Sequence, residues 1–419
     1  MSPSLFHTFA MVVALAALFS YVNHKFLKLP TTIGLMLLAL GFAGIMIVIG
    51  FWNKDFLVQT CQVVSVIDFR EILMDIMLSF LLFAGALHVN AKALKLERMS
   101  VFLFATMGVV ISTFLVGSFI FWIAGAFGVA IPYTYCLLFG ALISPTDPIA
   151  VLAILKNSNV SRSLETKISG ESLFNDGVGV VVFVTILMLN EKGIEKFDIV
   201  ETIEIFAEEA LGGLVYGAVI GFLGLYILKS ISDEPKIEVL ISIAITMGGY
   251  GLASAIHVSG PLAMVVAGLI VGNGLIKHEK ENEASDQFSA FWEMLDEILN
   301  AILFVMIGLE VIAISLDDNY GLTIGLLAIP AVLLARLISV SIPMVFIKKG
   351  VNEKASKTIS VLTWGGLRGG ISIALALSLP MSEYRNLVLL ITYMVVVFSI
   401  VVQGLSIGTL VKKLKLSKA

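Results

Sequence analysis

Runs of about twenty apolar residues recur along the whole of this chain, and the polar segments between them are short. A backbone entering hydrocarbon must satisfy its own N–H and C=O groups, so runs of that length admit helices and little else. They fall at 4–22, 30–51, 71–89, 100–128, 131–155, 168–189 and 203–228, then at 238–256, 259–276, 290–315, 321–347, 358–379 and 386–411. The expected fold is therefore all-α and integral to a membrane, with thirteen transmembrane helices, the eighth and ninth parted only by residues 257–261. With 58% hydrophobic and 14% charged residues, composition excludes a soluble globular domain. The first run lacks a basic leader and is followed by Asn23, His24 and Lys25 rather than a cleavage site, so it reads as a retained span. The longest hydrophilic stretches, 191–204 and 277–287, read as solvated loops or amphipathic helix starts.

Positive charge orients such a chain. Lys25 and Lys28, the 92–98, 156–167, 229–236, 277–280 and 348–357 segments and the C-terminal lysines together hold 20 Lys and Arg, all on one side by the span count; the other side holds Lys54, Arg70, Lys192, Lys196 and Arg385. This split predicts a multi-pass protein of the cell inner membrane with its N-terminus outside and its C-terminus cytoplasmic. Two cysteines, Cys61 and Cys136, allow no disulfide framework or metal cluster, and no cofactor is expected.

Five charged residues fall deep inside apolar runs, away from their ends: Asp147, Glu171, Asp176, Arg336 and Arg368. Each costs roughly 2.5–3.5 kcal/mol at the bilayer centre, which argues for work that repays it. Span five is broken by Ser144-Pro145-Thr146-Asp147-Pro148, where two prolines bar the helical path, and span twelve by Gly365-Gly366-Leu367-Arg368-Gly369-Gly370. Lying seven spans apart, the two breaks run in opposite directions, as an inverted repeat requires, and paired discontinuous helices point to a binding site at the midplane. Asp147 would sit at exposed helix N-termini, and Arg368 would compensate exposed C-termini.

In span six, Ser172 and Asp176 are four apart, as are Glu171 and Asn175, so each pair shares a helix face. Ser172 and Asp176 form an oxygen-lined edge, and Glu171 needs a cationic partner. A hard monovalent cation wants several oxygens, which a carboxylate, a hydroxyl and freed carbonyls near Thr146 supply. Desolvation disfavours a bare carboxylate, so proton and cation compete for the same group. Asp75 and Glu310 read as structural, His88 as an interfacial histidine with a possible pH-sensing use, and Glu293, Asp296 and Glu297 as the acidic lining of a funnel. Gly217 with Gly221, and Gly268 with Gly272, fit close helix packing.

These motifs, with Ala335-Arg336 and the stretch FWEMLDEILNAILFVMIGLE at 291–310, resemble the NhaP-type monovalent cation/proton antiporters, which are related to animal sodium/proton exchangers. The resemblance spans nearly the whole chain. It implies that Asp176 carries the ion and the proton, that Asp147, Ser172 and the Thr146 backbone complete the sodium site, and that Asn175 orders its surroundings. It implies a buried salt bridge from Glu171 to Arg336, or alternatively to Arg368. Asn175, where some relatives carry an aspartate, implies electroneutral one-for-one exchange of Na+ or Li+ for H+. It further implies a homodimer in which core spans (residues 100–189 and 321–411) move against a scaffold (1–99 and 203–315). Ala84 departs from relatives that carry an acid in span three. Two other readings of the same acids are a cation channel or uniporter and an intramembrane aspartic protease using Asp147 and Asp176.

Overall fold

A computed structural model describes residues 5–53, 55, 69–156, 160–192, 199–231, 234–276, 283–313, 320–347 and 355–414. Cys61, Lys277, Lys280, Lys348, Lys349 and Lys354 lie outside them, as does the side chain of Asp75. Among the described residues there is no strand, only an isolated bridge between Asp147 and Leu367. The helices are α1 (Leu5–Val22), α2 (Thr31–Trp52), α3 (Leu78–Leu87, preceded by helical turns from Phe69), α4 (Ala91–Ala126), α5 (Tyr133–Ile143), α6 (Ile149–Lys156), α7 (Arg162–Lys192) and α8 (Ile199–Lys229). Then come α9 (Pro235–Ala255), α10 (Gly260–Ile276), α11 (Glu283–Glu310), α12 (Gly321–Phe346), α13 (Ala355–Trp364), α14 (Gly370–Leu377) and α15 (Arg385–Lys413).

Eight helices among the described residues are each long and apolar enough to cross a membrane: α1, α2, α4, α7, α8, α9, α12 and α15. The other five expected spans differ for local reasons. Residues 71–89 begin with a π turn over Ile72–Met77, α10 has 17 residues, and α11 carries acids along one face. The regions 131–155 and 358–379 are each two short helices rather than one. The fourth run starts earlier than its apolar stretch: Asn90 Oδ1 accepts from the N–H groups of Lys92 (2.9 Å) and Ala93 (3.1 Å), an N-cap that places Lys92, Lys95 and Arg98 in the first turns of α4. Between α9 and α10 the chain reverses through His257, whose φ of 56° is left-handed.

Close backbone approach fixes α10 between α3 and α8. A Cβ at Gly268 would lie 2.6 Å from the Phe83 carbonyl oxygen, and one at Gly217 2.6 Å from the Ala263 Cα. The stripes of small residues are therefore true contact seams. Asn273 of α10 then ties down the turn after α3, accepting from Ala91 N at 2.7 Å and donating to the Val89 carbonyl at 2.9 Å.

Candidate functional site

The two broken regions meet. After α5 the chain leaves the helix through residues 144–148, and after α13 through 365–369; Asp147 N donates to the Leu367 carbonyl at 2.8 Å where they touch. Each interruption frees backbone groups that hydrocarbon cannot satisfy. Arg368 Nη1 donates to the carbonyls of Ser144 (2.6 Å) and Pro145 (2.9 Å), which close the C-terminal end of α5. Arg336 Nε donates to the Leu362 carbonyl near the end of α13 at 3.3 Å. Both intramembrane arginines thus face the negative ends of interrupted helices, where cations are favoured.

Asp147 occupies the opposite polarity. Its Oδ1 accepts from Ile149 N at 2.9 Å, capping the start of α6, and its carboxylate lies against Gly369, the residue before α14. A Cβ at Gly369 would come within 2.8 Å of Asp147 Oδ2, so the approach requires glycine.

Behind the break, Thr146 joins α7. Asn175 Nδ2 donates to Thr146 Oγ1 at 2.8 Å, Thr146 N donates to Asn175 Oδ1 at 3.3 Å, and Ser172 Oγ lies 3.1 Å from Thr146 Oγ1. One turn away on α7, Glu171 Oε1 is 2.6 Å from Arg336 Nη2, both buried. That contact lacks the alignment of a hydrogen bond and is held by charge.

A cavity of about 460 Å³ opens in front of this assembly, with Thr146, Asp147 and Asp176 on its wall. The two aspartates lie within electrostatic reach of one another. Of the four residues expected to hold the ion, those three reach the cavity. Ser172 and Asn175 are buried behind Thr146, while Glu171, Arg336 and Arg368 hold the frame. Glu293, Asp296 and Glu297 also line it, as does His88, whose Nδ1 is 2.9 Å from the Ala84 carbonyl. Ala84 itself is buried off the wall, and Gly85 faces the cavity in its place. The sequence reading missed Asn300 and Ser372 on the wall, and had Gly369 only as part of the break. Asn300 had a signal: it lies seven residues after Glu293 on the same helix face.

Residues 12–413 match the family described as sodium/hydrogen exchanger, transmembrane. The chain belongs to the sodium/hydrogen exchanger family. It is 44% identical over 409 residues to the Na(+)/H(+) antiporter NhaP of Pseudomonas aeruginosa, covering 97% of this chain and 96% of that one. It is 34% identical over 397 residues to the Na(+)/H(+) antiporter NhaH of Halobacillus aidingensis, covering 94% of each. Its fold is similar to that of the sodium proton antiporter MjNhaP1 from Methanocaldococcus jannaschii, with a TM-score of 0.75 at 21% identity, covering 98% of both chains. As a member of the exchanger family the chain is a multi-pass membrane transporter and not an enzyme.

Proposed function

We propose that this exchanger moves Na+ (or Li+) one way and H+ the other, one for one, by alternating access at Asp176. The observation that carries the reading is the placement of Asp176 and Asp147 on one cavity wall, at the meeting of two interrupted helical regions. A carboxylate half out of water binds a proton or a cation but not both. Asp147 contributes a second carboxylate, Thr146 a backbone oxygen, and Ser172 its hydroxyl after a rotation away from Thr146. Asn175 carries no proton, so each cycle moves one charge each way. In this reading α5 with α6, and α13 with α14, are two discontinuous spans that cross, related by an inverted repeat within a thirteen-span chain.

The cavity wall includes His88, Ser169 and Glu293, near the ends of α3, α7 and α11 that adjoin the lysine-rich segments. With the C-terminus cytoplasmic, this conformation faces inward. Core spans move against scaffold spans, and two copies pair through the scaffold. Because α4 is continuous from Ala91, we place the first boundary of the core in the turn at 88–90 rather than at residue 99.

Reconstitution tests it: proteoliposomes carrying an internal pH dye are challenged with sodium, lithium and potassium. Sodium and lithium are expected to drive proton movement that leaves the membrane potential unchanged, and Asp176→Asn to remove it while the protein stays monodisperse. Substantial exchange by Asp176→Asn would refute the assignment.

A further inference from the structure

The face of α11 that borders the cavity carries Glu293, Asp296, Glu297 and Asn300, spaced i, i+3, i+4 and i+7. At 1.5 Å per residue this stripe spans about 10 Å along the helix, and Asn300 is its innermost member. One turn further on, Leu303 packs on Gly370 at the start of α14, beside the Gly369 that touches Asp147. The acids alone would be a solvated funnel. Asn300 changes that: it is only 4% exposed, its Nδ2 donates to the Asp296 carbonyl at 2.8 Å, and this fixes the amide so that Oδ1 has no hydrogen-bond partner. On the α14 wall of the same cavity, Ser372 is 1% exposed and its Oγ also lacks a partner. A buried acceptor without a donor costs free energy unless a cation or a donor fills the place. Asp296 completes the set, within electrostatic reach of Asp147.

We infer that Asp296 and Asn300 form a second cation-binding position, about one helical turn outside the Asp147 and Asp176 pair, with Ser372 facing it. Its ligand is a hard monovalent cation, sodium or lithium, held partly hydrated before it passes inward. The inference rests on the exchange reading above but makes a separate claim: binding outlives the loss of Asp176.

Equilibrium binding of radioactive sodium to purified, detergent-solubilised protein separates the two. Asp176→Asn is expected to retain sodium binding, and adding Asp296→Asn or Asn300→Ala to it is expected to abolish that binding. No binding by Asp176→Asn alone, or undiminished binding by the double variants, overturns the second position. Neither outcome touches the proposed role of Asp176, which stands or falls on exchange in proteoliposomes. In the otherwise unaltered protein, Asn300→Ala is expected to raise the apparent KM for sodium about three- to tenfold, the effect of losing one polar contact. Asn300 is neutral, so a funnel acting through its field alone predicts no change, and that result also counts against the proposal. Asn300→Ser, which keeps an oxygen, is expected to fall between the two and substitutes for alanine should that variant lose monodispersity.

Discussion

The ion pair between Glu171 and Arg336 shows how a charged residue can be indispensable without touching the transported ion. Both groups are buried, and Arg336 also holds the Leu362 carbonyl, so the pair links α7 to the end of α13. Deleting one partner leaves a charge stranded in a dry place, at a cost of about 3–5 kcal/mol. Glu171→Ala is therefore expected to lower yield and thermal stability sharply, as read by fluorescence-detected size exclusion on heating; wild-type stability would remove the structural role. Arg336→Lys is expected to recover little, since a lysine cannot serve the carboxylate and the carbonyl with one planar fork. That Glu171 needs a cation was legible in the sequence, because an unpaired acid has no place in an apolar run. Which arginine serves it was not, since both candidates sit near interrupted helices and only the packing of α12 on α13 separates them. Ser172 makes the same point. Its spacing puts it on one helix edge with Asp176, yet its hydroxyl turns to Thr146, a partner whose position the spacing of α7 does not encode.

At the level of elements, the breaks were the most legible feature of the chain. Prolines at 145 and 148 and the glycines at 365–370 forbid continuous helix, and the interruptions fall there in the structure. What the sequence could not supply was their contact: the bond from Asp147 N to the Leu367 carbonyl joins residues 220 positions apart. The join also sets a steric limit at Gly369. Its backbone (φ −121°, ψ −158°) is open to any residue, so a substitution there acts through side-chain volume alone. Gly369→Ala would place a methyl within 2.8 Å of the Asp147 carboxylate and push it off its seat between α6 and α14. Sodium-driven exchange is expected to fall about tenfold or more, in line with the cost of ångström-scale misplacement, while the melting temperature changes little. Full activity in Gly369→Ala would mean that the Asp147 position is loose and the proposed geometry unnecessary.

Across the whole molecule, glycines mark where elements approach closely, within and between the core and scaffold proposed above. Inside each proposed body some glycines press on backbone, Gly268 and Gly217 within the scaffold and Gly140 on the Thr113 main chain within the core, while others, such as Gly224 and Gly179, meet side chains. Between the bodies, the nearest atoms are the ends of side chains: Leu262 Cδ2 for Gly177, Leu303 Cδ1 for Gly370, Ile33 Cδ1 for Gly404 and Leu173 Cδ1 for Gly85. Backbone seams resist sliding because neither side can yield, whereas leucine and isoleucine tips change rotamer at little cost. Where the boundary glycines meet such tips, the proposed motion of core against scaffold carries little steric cost. A Cβ at Gly85 would lie 3.9 Å from Leu173 Cδ1, beside the cavity, so thiols at these two positions lie within reach of a short reducible cross-linker that spans the boundary. In a background with Cys61 and Cys136 replaced by alanine, cross-linking Gly85→Cys to Leu173→Cys is expected to stop exchange, and reduction to restore it. The comparison is the same cross-linker within the core, on Thr134→Cys and Asn190→Cys, whose native side-chain oxygens are 2.7 Å apart; it is expected to leave exchange within about twofold, well below the tenfold that 1.4 kcal/mol represents. Exchange that persists with the Gly85–Leu173 bridge fully formed would mean that the cavity changes sides without the two bodies moving past each other.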